Sequence, residues 1–201
     1  VVHDGSTAGG TPLMKEAGTS GDITVNSLTI GKGANSVSGN TVLGETALDA
    51  AVTGVNNTAI GKQALTTNTS GTQNTAVGHR SLRLNTTGQS NVAVGKNALD
   101  ENTTGDENTA VGSYALGENT TADDNTAIGF YALKANTTGT QNTALGANAL
   151  DANTTANYNT AIGKDSLGLN TTGNSNNAVG AGALDANTTG TANNAFGVNA
   201  L

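Results

Sequence analysis

The sequence predicts an all-β protein, a parallel β-solenoid (β-roll) of ten coils that repeat at a spacing of seventeen. The first observation is a pattern, N-T-A-[VIL]-G-x-x-[AS]-L-x-x-N-T-T-G-x-x, that recurs at this constant spacing from Asn40 to Leu201. The second is that glycine at pattern positions five and fifteen interrupts every run long enough for a helix. The third is composition: 35% apolar and 2% aromatic residues among 201 are too few for one compact core.

The repeat separates fixed positions from free ones. Positions are counted from the asparagine that opens each copy, and coils one to ten begin at Asn40, Asn57, Asn74, Asn91, Asn108, Asn125, Asn142, Asn159, Asn176 and Asn193. All ten copies have asparagine at position one, glycine at five and leucine at nine, and eight of the nine copies that reach position twelve have asparagine there. Positions six, seven, ten, eleven, sixteen and seventeen vary freely. The fixed positions are therefore expected to be structural.

Each coil is predicted to contain two short strands with turns between them. One strand covers positions two to five and the other about positions eight to ten, because threonine and β-branched residues suit a pleated surface. Glycine is expected to supply positive φ where the turns need it. Stacked coils would rise about 4.7–4.9 Å each, so ten coils would span roughly 45–50 Å.

Position four and the leucine at position nine are predicted to form apolar ladders inside the solenoid. The asparagines at positions one and twelve are predicted to form amide ladders, because a side-chain amide both donates and accepts hydrogen bonds. The expected ladder residues include Asn57, Gly61, Leu65, Asn74, Leu82, Asn108, Gly112, Leu116, Asn125, Leu133 and Asn136.

The thin core favours an oligomer. Burial contributes roughly 25 cal/mol per Å², whereas ordering one backbone residue costs about 1–2 kcal/mol. Positions three and four of a strand face opposite sides, so the alanine at position three is expected to face a partner chain. We therefore expect a parallel homotrimer, intertwined or side by side. The predicted interface consists of Ala59, Ala76, Ala93, Ala110, Ala127, Ala144 and Ala161.

Two segments precede the repeat. Residues 1–22, which include the stretch "DGSTAGGTP" (Asp4 to Pro12), are rich in Gly, Ser and Thr and are predicted to be a linker or attachment segment. Residues 23–39 are predicted to form a lead-in coil of irregular length, and residues 40–201 the solenoid. Because Leu201 stops in mid-coil, we expect either a longer chain or ends that stack on something else.

No residue pattern indicates catalysis, a metal site or a cofactor, so an enzyme is not expected. His3 and His79 are the two histidines, and the chain has no cysteine. The acidic pairs Asp100–Glu101, Asp106–Glu107 and Asp123–Asp124 lie at variable positions, which is typical of solvated charge. The net charge is −7 and the eight basic residues are scattered, so neither nucleic acid nor, without a long apolar run, a membrane is an expected partner.

Four aromatic residues occur in the middle coils, and they are candidates for a surface contact. They are Tyr114, Phe130, Tyr131 and Tyr158. Local packing against neighbouring coils would explain them, and so would contact with a glycan or receptor.

The stretch "ITVNSLTIGKGANSVSGNTVLGETAL" (Ile23 to Leu48), followed by tandem "NTAVG…AL..NTTG" copies, resembles bacteriophage tail-fibre shafts. It is also similar to the "SVAIG" coils in the heads of trimeric autotransporter adhesins, and "ANSVSG" (Ala34 to Gly39) and "NTAIG" (Asn57 to Gly61) match best. The resemblance implies a trimeric left-handed β-roll in an extracellular or virion setting, with a receptor-binding domain elsewhere on a longer chain. It implies no catalytic residues.

The sequence therefore predicts a structural fibre shaft that spaces and displays a receptor-binding element. Its expected partners are copies of itself and, through a part not present here, a cell-surface receptor or glycan. One alternative is an extracellular filament subunit joined head to tail. Another is an ice-binding solenoid, because "NTAVG" and "NSVSG" are also similar to a grass antifreeze repeat. The paired threonines at positions thirteen and fourteen are adjacent, however, so they diverge or lie in a turn.

Overall fold

The structure is a computed structural model that describes residues 15–17, 22–25, 27–50 and 52–201. It holds 13 strands in one sheet, and their order in the sheet is their order in the chain. Strands β1 (Lys15–Ala17), β2 (Asp22–Val25) and β3 (Leu28–Gly31) form an antiparallel meander. Strand β3 also pairs antiparallel with β4 (Thr41–Gly44), the first strand of the solenoid.

Every later strand pairs parallel with the strand before it. The predicted parallel β-solenoid is confirmed, because partners across each pair occupy the same position of successive copies, as Ala110 and Ala127 do. The remaining strands are β5 (Thr58–Ile60), β6 (Thr75–Val77), β7 (Val92–Val94), β8 (Thr109–Val111), β9 (Thr126–Ile128), β10 (Thr143–Leu145), β11 (Thr160–Ile162), β12 (Asn177–Val179) and β13 (Asn194–Phe196).

Among the described residues each coil contains one strand, at positions two to four or, in coil one, two to five, and the prediction of a second strand was wrong. Positions six to eleven form turns instead. In coil two, the Ala64 N–H donates to the Gly61 carbonyl and the Asn68 N–H to the Leu65 carbonyl, both at 3.2 Å. The leucines at position nine of coils one to nine have φ between 46° and 53°. That left-handed backbone is incompatible with a strand.

The side of the solenoid formed by these turns, at positions six to eleven, is nevertheless hydrogen-bonded from coil to coil, as a sheet would be. The Leu116 N–H at position nine donates to the Ala132 carbonyl of the next coil at 3.0 Å. The Glu101 N–H at position eleven donates to the Gly117 carbonyl at 3.2 Å. Both walls of the solenoid therefore carry backbone ladders, and stacking does not depend on strand geometry.

The glycine at position five marks a corner where backbones approach closely. Gly61 has φ of 130°, and a Cβ on it would lie 2.5 Å from the carbonyl oxygen of Gly78 in the next coil. Other positive-φ positions do not use glycine: Gln63 at position seven has φ of 59° and Gln73 at position seventeen has φ of 61°. The prediction that glycine supplies the positive φ of the turns therefore holds at position five and fails at seven, nine and seventeen.

The core places the alanine of position three inside and the aliphatic side chain of position four outside, the reverse of the prediction. Ala110, Ala127 and Leu133 have no exposed surface, whereas Ile128 is 38% exposed and Leu145 is 44% exposed. The interior of these coils already holds the leucine of position nine and two asparagines, so a methyl group is what fits beside them.

A single chain buries about as much surface as an ordinary monomer. Its accessible surface is 9227 Å², and a compact monomer of this mass would expose about 8,600 Å². The buried asparagines fill the space that a count of apolar residues leaves empty. The expectation that a thin core requires a partner chain therefore loses its basis.

The N-terminal strands cover one end of the solenoid. Asp22 is 4% exposed, and its carboxylate accepts the N–H groups of Lys32 at 2.7 Å and Gly33 at 2.8 Å. The Ala34 N–H donates to the Leu48 carbonyl of coil one at 3.1 Å. Strand β1 and the start of β2 thus lie within the segment predicted as a linker, and Asp4–Pro12 lies outside the described residues.

Replacing Leu133 by Asp should destabilise the solenoid strongly. The side chain is fully buried, and removing it while burying a carboxyl group should cost about 3 kcal/mol or more. Thermal unfolding followed by circular dichroism measures the loss. Lys134→Gln in the next residue removes a partly exposed ion pair with Glu118 and a cation–π contact with Tyr131, so it should change stability by about 1 kcal/mol. Equal, small effects of both changes would show that the leucine ladder does not hold the coils.

Candidate functional site

Two files of buried asparagine side chains run along the interior. In the file at position one, the Asn125 backbone N–H and side-chain Nδ2 both donate to Oδ1 of Asn108 in the preceding coil, at 3.0 and 3.3 Å. The same Nδ2 donates to the Gly139 carbonyl of its own coil at 2.8 Å. The Asn125 side chain is therefore bonded both along the solenoid axis and across its own coil, and most members of the file repeat this arrangement.

The file at position twelve meets the first file at one carbonyl group. Asn136 Nδ2 donates to Oδ1 of Asn119 and to the Gly139 carbonyl, each at 2.9 Å. Gly139 at position fifteen thus accepts from both asparagines of coil six. The same double acceptance occurs at Gly71, Gly88, Gly105, Ala122, Ala156 and Gly190.

The residues predicted to form ladders all lie on the interior or at its corner. No side-chain surface is exposed for Asn57, Asn74, Asn108, Asn125, Asn136, Leu65, Leu82, Leu116 and Leu133. Gly61 and Gly112 occupy the corner at position five, with φ of 130° and 140°.

The alanines predicted to form a trimer interface face the chain's own interior. No surface is exposed for Ala59, Ala76, Ala93, Ala110, Ala127, Ala144 and Ala161. While the coil is closed, their methyl groups cannot touch a second chain. The reason is that the strand faces the opposite way from the prediction. The side chain of position three points toward the asparagine files, and the side chains of positions two and four point away from them.

The outer face of the sheet carries an unbroken apolar row, which we call the outer row. It consists of Leu43, Ile60, Val77, Val94, Val111, Ile128, Leu145, Ile162, Val179 and Phe196, all at position four. Beside it, position two holds threonine in seven coils, with Val92, Asn177 and Asn194 in the others. Neither position carries a charge in any coil. The outer row is half-buried or exposed throughout, with Val111 at 36%.

The threonines of positions thirteen and fourteen form two different files. At position thirteen the hydroxyl donates to the backbone of the next coil, as Thr103 Oγ1 does to the Thr120 carbonyl at 2.9 Å. At position fourteen the side chains are exposed, as Thr121 and Thr138 are. Only the second of these two files is fully exposed.

Three of the four candidate aromatic residues form a cluster on coils five and six. The rings of Phe130 and Tyr131 stack with centroids 4.0 Å apart and planes 22° apart, and Tyr114 meets Tyr131 edge to face at 5.3 Å. Lys96 Nζ lies 5.7 Å from the Tyr114 centroid, and Lys134 Nζ lies 5.7 Å from the Tyr131 centroid. Tyr158 stands apart at position seventeen and is 60% exposed.

Sequence reasoning missed a partly buried ion pair. Asp100 is 7% exposed and accepts Arg83 Nε at 2.7 Å, and Arg80 Nη2 lies 3.4 Å from the same carboxylate. Asn97 Nδ2 also donates to it at 3.2 Å. Arg83 and Asp100 occupy position ten in successive coils, so opposite charges separated by one repeat are the sequence signal that identifies the pair.

A second carboxylate at position ten has an unfavourable setting. Burial raises the pKa of Asp151 above its ordinary value of 3.8, and the neighbouring charge of Asp165 raises the pKa further. Asp165 itself has a lowered pKa, because Lys164 Nζ contacts it at 2.7 Å and Asn148 donates to it at 2.9 Å. These carboxylates do not form a metal centre: among the described residues no three acidic, histidine or cysteine side chains group to hold an ion.

The two histidines do not join a cluster among the described residues. His79 is exposed at position six, and His3 lies outside the described residues.

A cavity of about 430 Å³ opens beside Leu184, Asn187 and Asn193 in the last two coils. In earlier coils the equivalent surface is covered by the next coil. No helix within the described ranges is long and apolar enough to cross a bilayer.

Comparisons with protein-family models, with curated proteins and with solved structures find no match to this chain.

Replacing Asn125 by Asp should destabilise the solenoid in a pH-dependent way. The new oxygen would face three acceptors, Oδ1 of Asn108 and the carbonyls of Asp123 and Gly139, so the loss at pH 7 should be about 3 kcal/mol or more. Burial raises the pKa of the introduced carboxyl in the folded state. Stability is then lost as pH rises from the unfolded pKa toward that raised value, so thermal melts should show a smaller deficit at pH 4 than at pH 7.

The control for this change is Asn56→Asp. Asn56 is exposed with φ of 62°, and Asp124 occupies the same repeat position with φ of 60°. The control should melt like the parent at both pH values. A pH-independent deficit in the Asn125 variant would contradict the proton-dependent account.

Replacing Asp151 by Asn should raise the melting temperature slightly at pH 7. Because its pKa is raised in the folded state, the stability associated with the neutral carboxyl is present below the ordinary pKa and is lost as pH rises through the folded value. The amide stays neutral, so the two proteins should converge near pH 3. A variant that is less stable than the parent at pH 7 would show that the Asp151 charge is favourable in the fold.

Proposed function

We propose that this chain is a structural rod, a fibre-shaft segment that spaces and displays another element, and that it acts as a parallel homotrimer. The observation that carries the proposal is the outer row. Its side chains point away from the core, so the coil does not require them to be apolar. They are nevertheless apolar in all ten coils, whereas positions six, ten and eleven vary and carry charge in several coils.

The rod itself follows from the ladders. Backbone hydrogen bonds on both walls and asparagine amides in the interior link each coil to the next, so axial load is shared among many short bonds. A mechanical role needs only this continuity, together with a surface that is uniform along the axis.

A second copy of the chain is the partner that the outer row fits best. Two parallel rods have the same axial rise of about 4.8 Å, so side chains of one row can interdigitate with those of another along the whole length. The absence of charge at positions two and four removes repulsion between identical surfaces, a requirement that a parallel self-association must meet.

A three-fold arrangement places each outer row against two others. A strand of three residues is roughly 10 Å wide, and nine coil steps span about 43 Å, which gives on the order of 430 Å² per chain. A dimer would bury about 860 Å² in total, below the usual range for stable interfaces, which begins near 1,200 Å². Three such faces around one axis bury about 1,300 Å² in total, or roughly 430 Å² for each pair of chains, so the area does not select the trimer. The trimer is proposed because the central row of each chain then contacts both neighbours.

The threonine files give less support to an ice-binding role. The hydroxyl protons of position thirteen are committed to backbone carbonyls, and the threonines of position two alternate with an apolar row. A flat surface with two adjacent free hydroxyl files is therefore missing from the described coils.

The solution mass tests this proposal. Light scattering on a sizing column should give three times the chain mass of 19.7 kDa. The double change Ile128→Lys with Leu145→Lys places two charges in the outer row and should release monomers with an unchanged circular dichroism spectrum. Thr121→Lys with Thr138→Lys adds the same charge at exposed position fourteen and should leave the trimer intact. A monomeric parent protein would refute the trimer, and a polydisperse, growing species would support head-to-tail assembly instead.

A further inference from the structure

We infer that the aromatic cluster of coils five and six is a carbohydrate-binding site that stacks a pyranose ring on Phe130. The cluster consists of Tyr114, Phe130 and Tyr131, flanked by Lys96 and Lys134. This site is independent of the rod's assembly, because it lies at positions six, seven and ten, beyond the glycine corner that ends the outer face.

The fold does not require aromatic residues at these positions. Positions six and seven hold Ala147 and Asn148 in coil seven, and the backbone there is the same: φ is 59° at Tyr131 and 56° at Asn148. The chain has five aromatic residues in all, and three of them gather on two adjacent coils. A structural ladder would repeat along the rod, whereas this cluster occurs once.

The geometry of the rings leaves a stacking platform. One face of Phe130 lies against Tyr131 at 4.0 Å between centroids, and Phe130 remains 52% exposed. Tyr131 is half-buried between Phe130, Tyr114 and Lys134, so the platform is held in place rather than free to rotate. An exposed, pre-oriented aromatic face binds the apolar C–H face of a sugar ring.

The rim of the cluster supplies polar groups that match sugar hydroxyls. Among the described residues, neither tyrosine hydroxyl has a hydrogen-bond partner, and Lys96 forms no ion pair. Lys134 is held by Glu118 at 2.7 Å, which presents a donor and an acceptor side by side. An apolar platform with donors and acceptors around it is the composition that a pyranose recognises, whereas an apolar peptide segment would leave these groups unpaired.

The open form of the site also fits a surface-bound sugar. Phe130 is 52% exposed, so a ligand on its free face is bound by stacking and not by enclosure. Binding should accordingly be weak at one site, and parallel copies of the chain would present several sites to one polysaccharide.

Saturation-transfer NMR provides the test: irradiation at aromatic frequencies enters the protein at the five aromatic residues and two histidines of each chain, spreads through the protein, and passes to a sugar only while the sugar is bound. The probes are the methyl glycosides of glucose, galactose and N-acetylglucosamine, and N-acetylneuraminic acid. For at least one of them, signals should appear on ring C–H protons and saturate with sugar concentration. Absence of transfer to all four sugars would overturn the inference.

The matched variant is Phe130→Ala with Tyr131→Asn, which gives coil six the Ala–Asn pair of coil seven. It should abolish the transfer while leaving the melting temperature and the solution mass unchanged. Tyr158→Gln, which introduces the residue that Gln141 provides one coil earlier, should retain the transfer. Transfer that persists in the double variant, or a fall in solution mass caused by it, would overturn the inference, the second by making the cluster a contact between chains.

Discussion

The asparagine amides of the interior are the constraint on which the other features depend. A buried amide left without partners costs several kcal/mol, and here a typical one, such as Asn125, is satisfied by the preceding coil and by a carbonyl of its own coil. Those bonds form only if successive coils have asparagine at the same position, so that one side chain lies directly above the next. One inserted residue would move every later amide out of register, which is why a constant coil length accompanies the invariant asparagine.

The same interior determines which side chains fit around it. Two asparagines and one leucine fill the cross-section of a typical coil, so the strand can offer only the methyl group of alanine at position three. Leucine reaches the interior from a left-handed backbone, as Leu116 does with φ of 49°, at a cost of roughly 1–2 kcal/mol for each residue. Complete burial of the side chain contributes about 1.5–3 kcal/mol and offsets that cost.

Much of this fold could be predicted from the sequence, because a solenoid repeats its own register. The period, the parallel stacking and the asparagine and leucine positions follow from comparing copies. The phase of the strand could not be predicted, because alternation shows that Ala127 and Ile128 face opposite sides without showing which side is inside. The turn at Leu133 could not be predicted either, because leucine is rarely found at positive φ. The Arg83–Asp100 pair could have been predicted, because opposite charges occupy the same position of successive copies. The ring stacking of Phe130 on Tyr131 could not, because it depends on side-chain geometry.

Interior and outer side chains occupy separate positions of the repeat, so the outer surface can change while the interior hydrogen bonds are kept. The interior bonds involve positions one, twelve and fifteen, so a change at position six or seven leaves the ladders untouched. Asn148 and Tyr131 occupy position seven with nearly the same φ, although one is a small amide and the other a large ring. The outer row differs from these variable positions, because it stays apolar where the coil itself would accept polar residues. The interior thus fixes the shape of every coil, while the outer row and the aromatic cluster lie on the outside, where we propose that a second chain and a sugar bind.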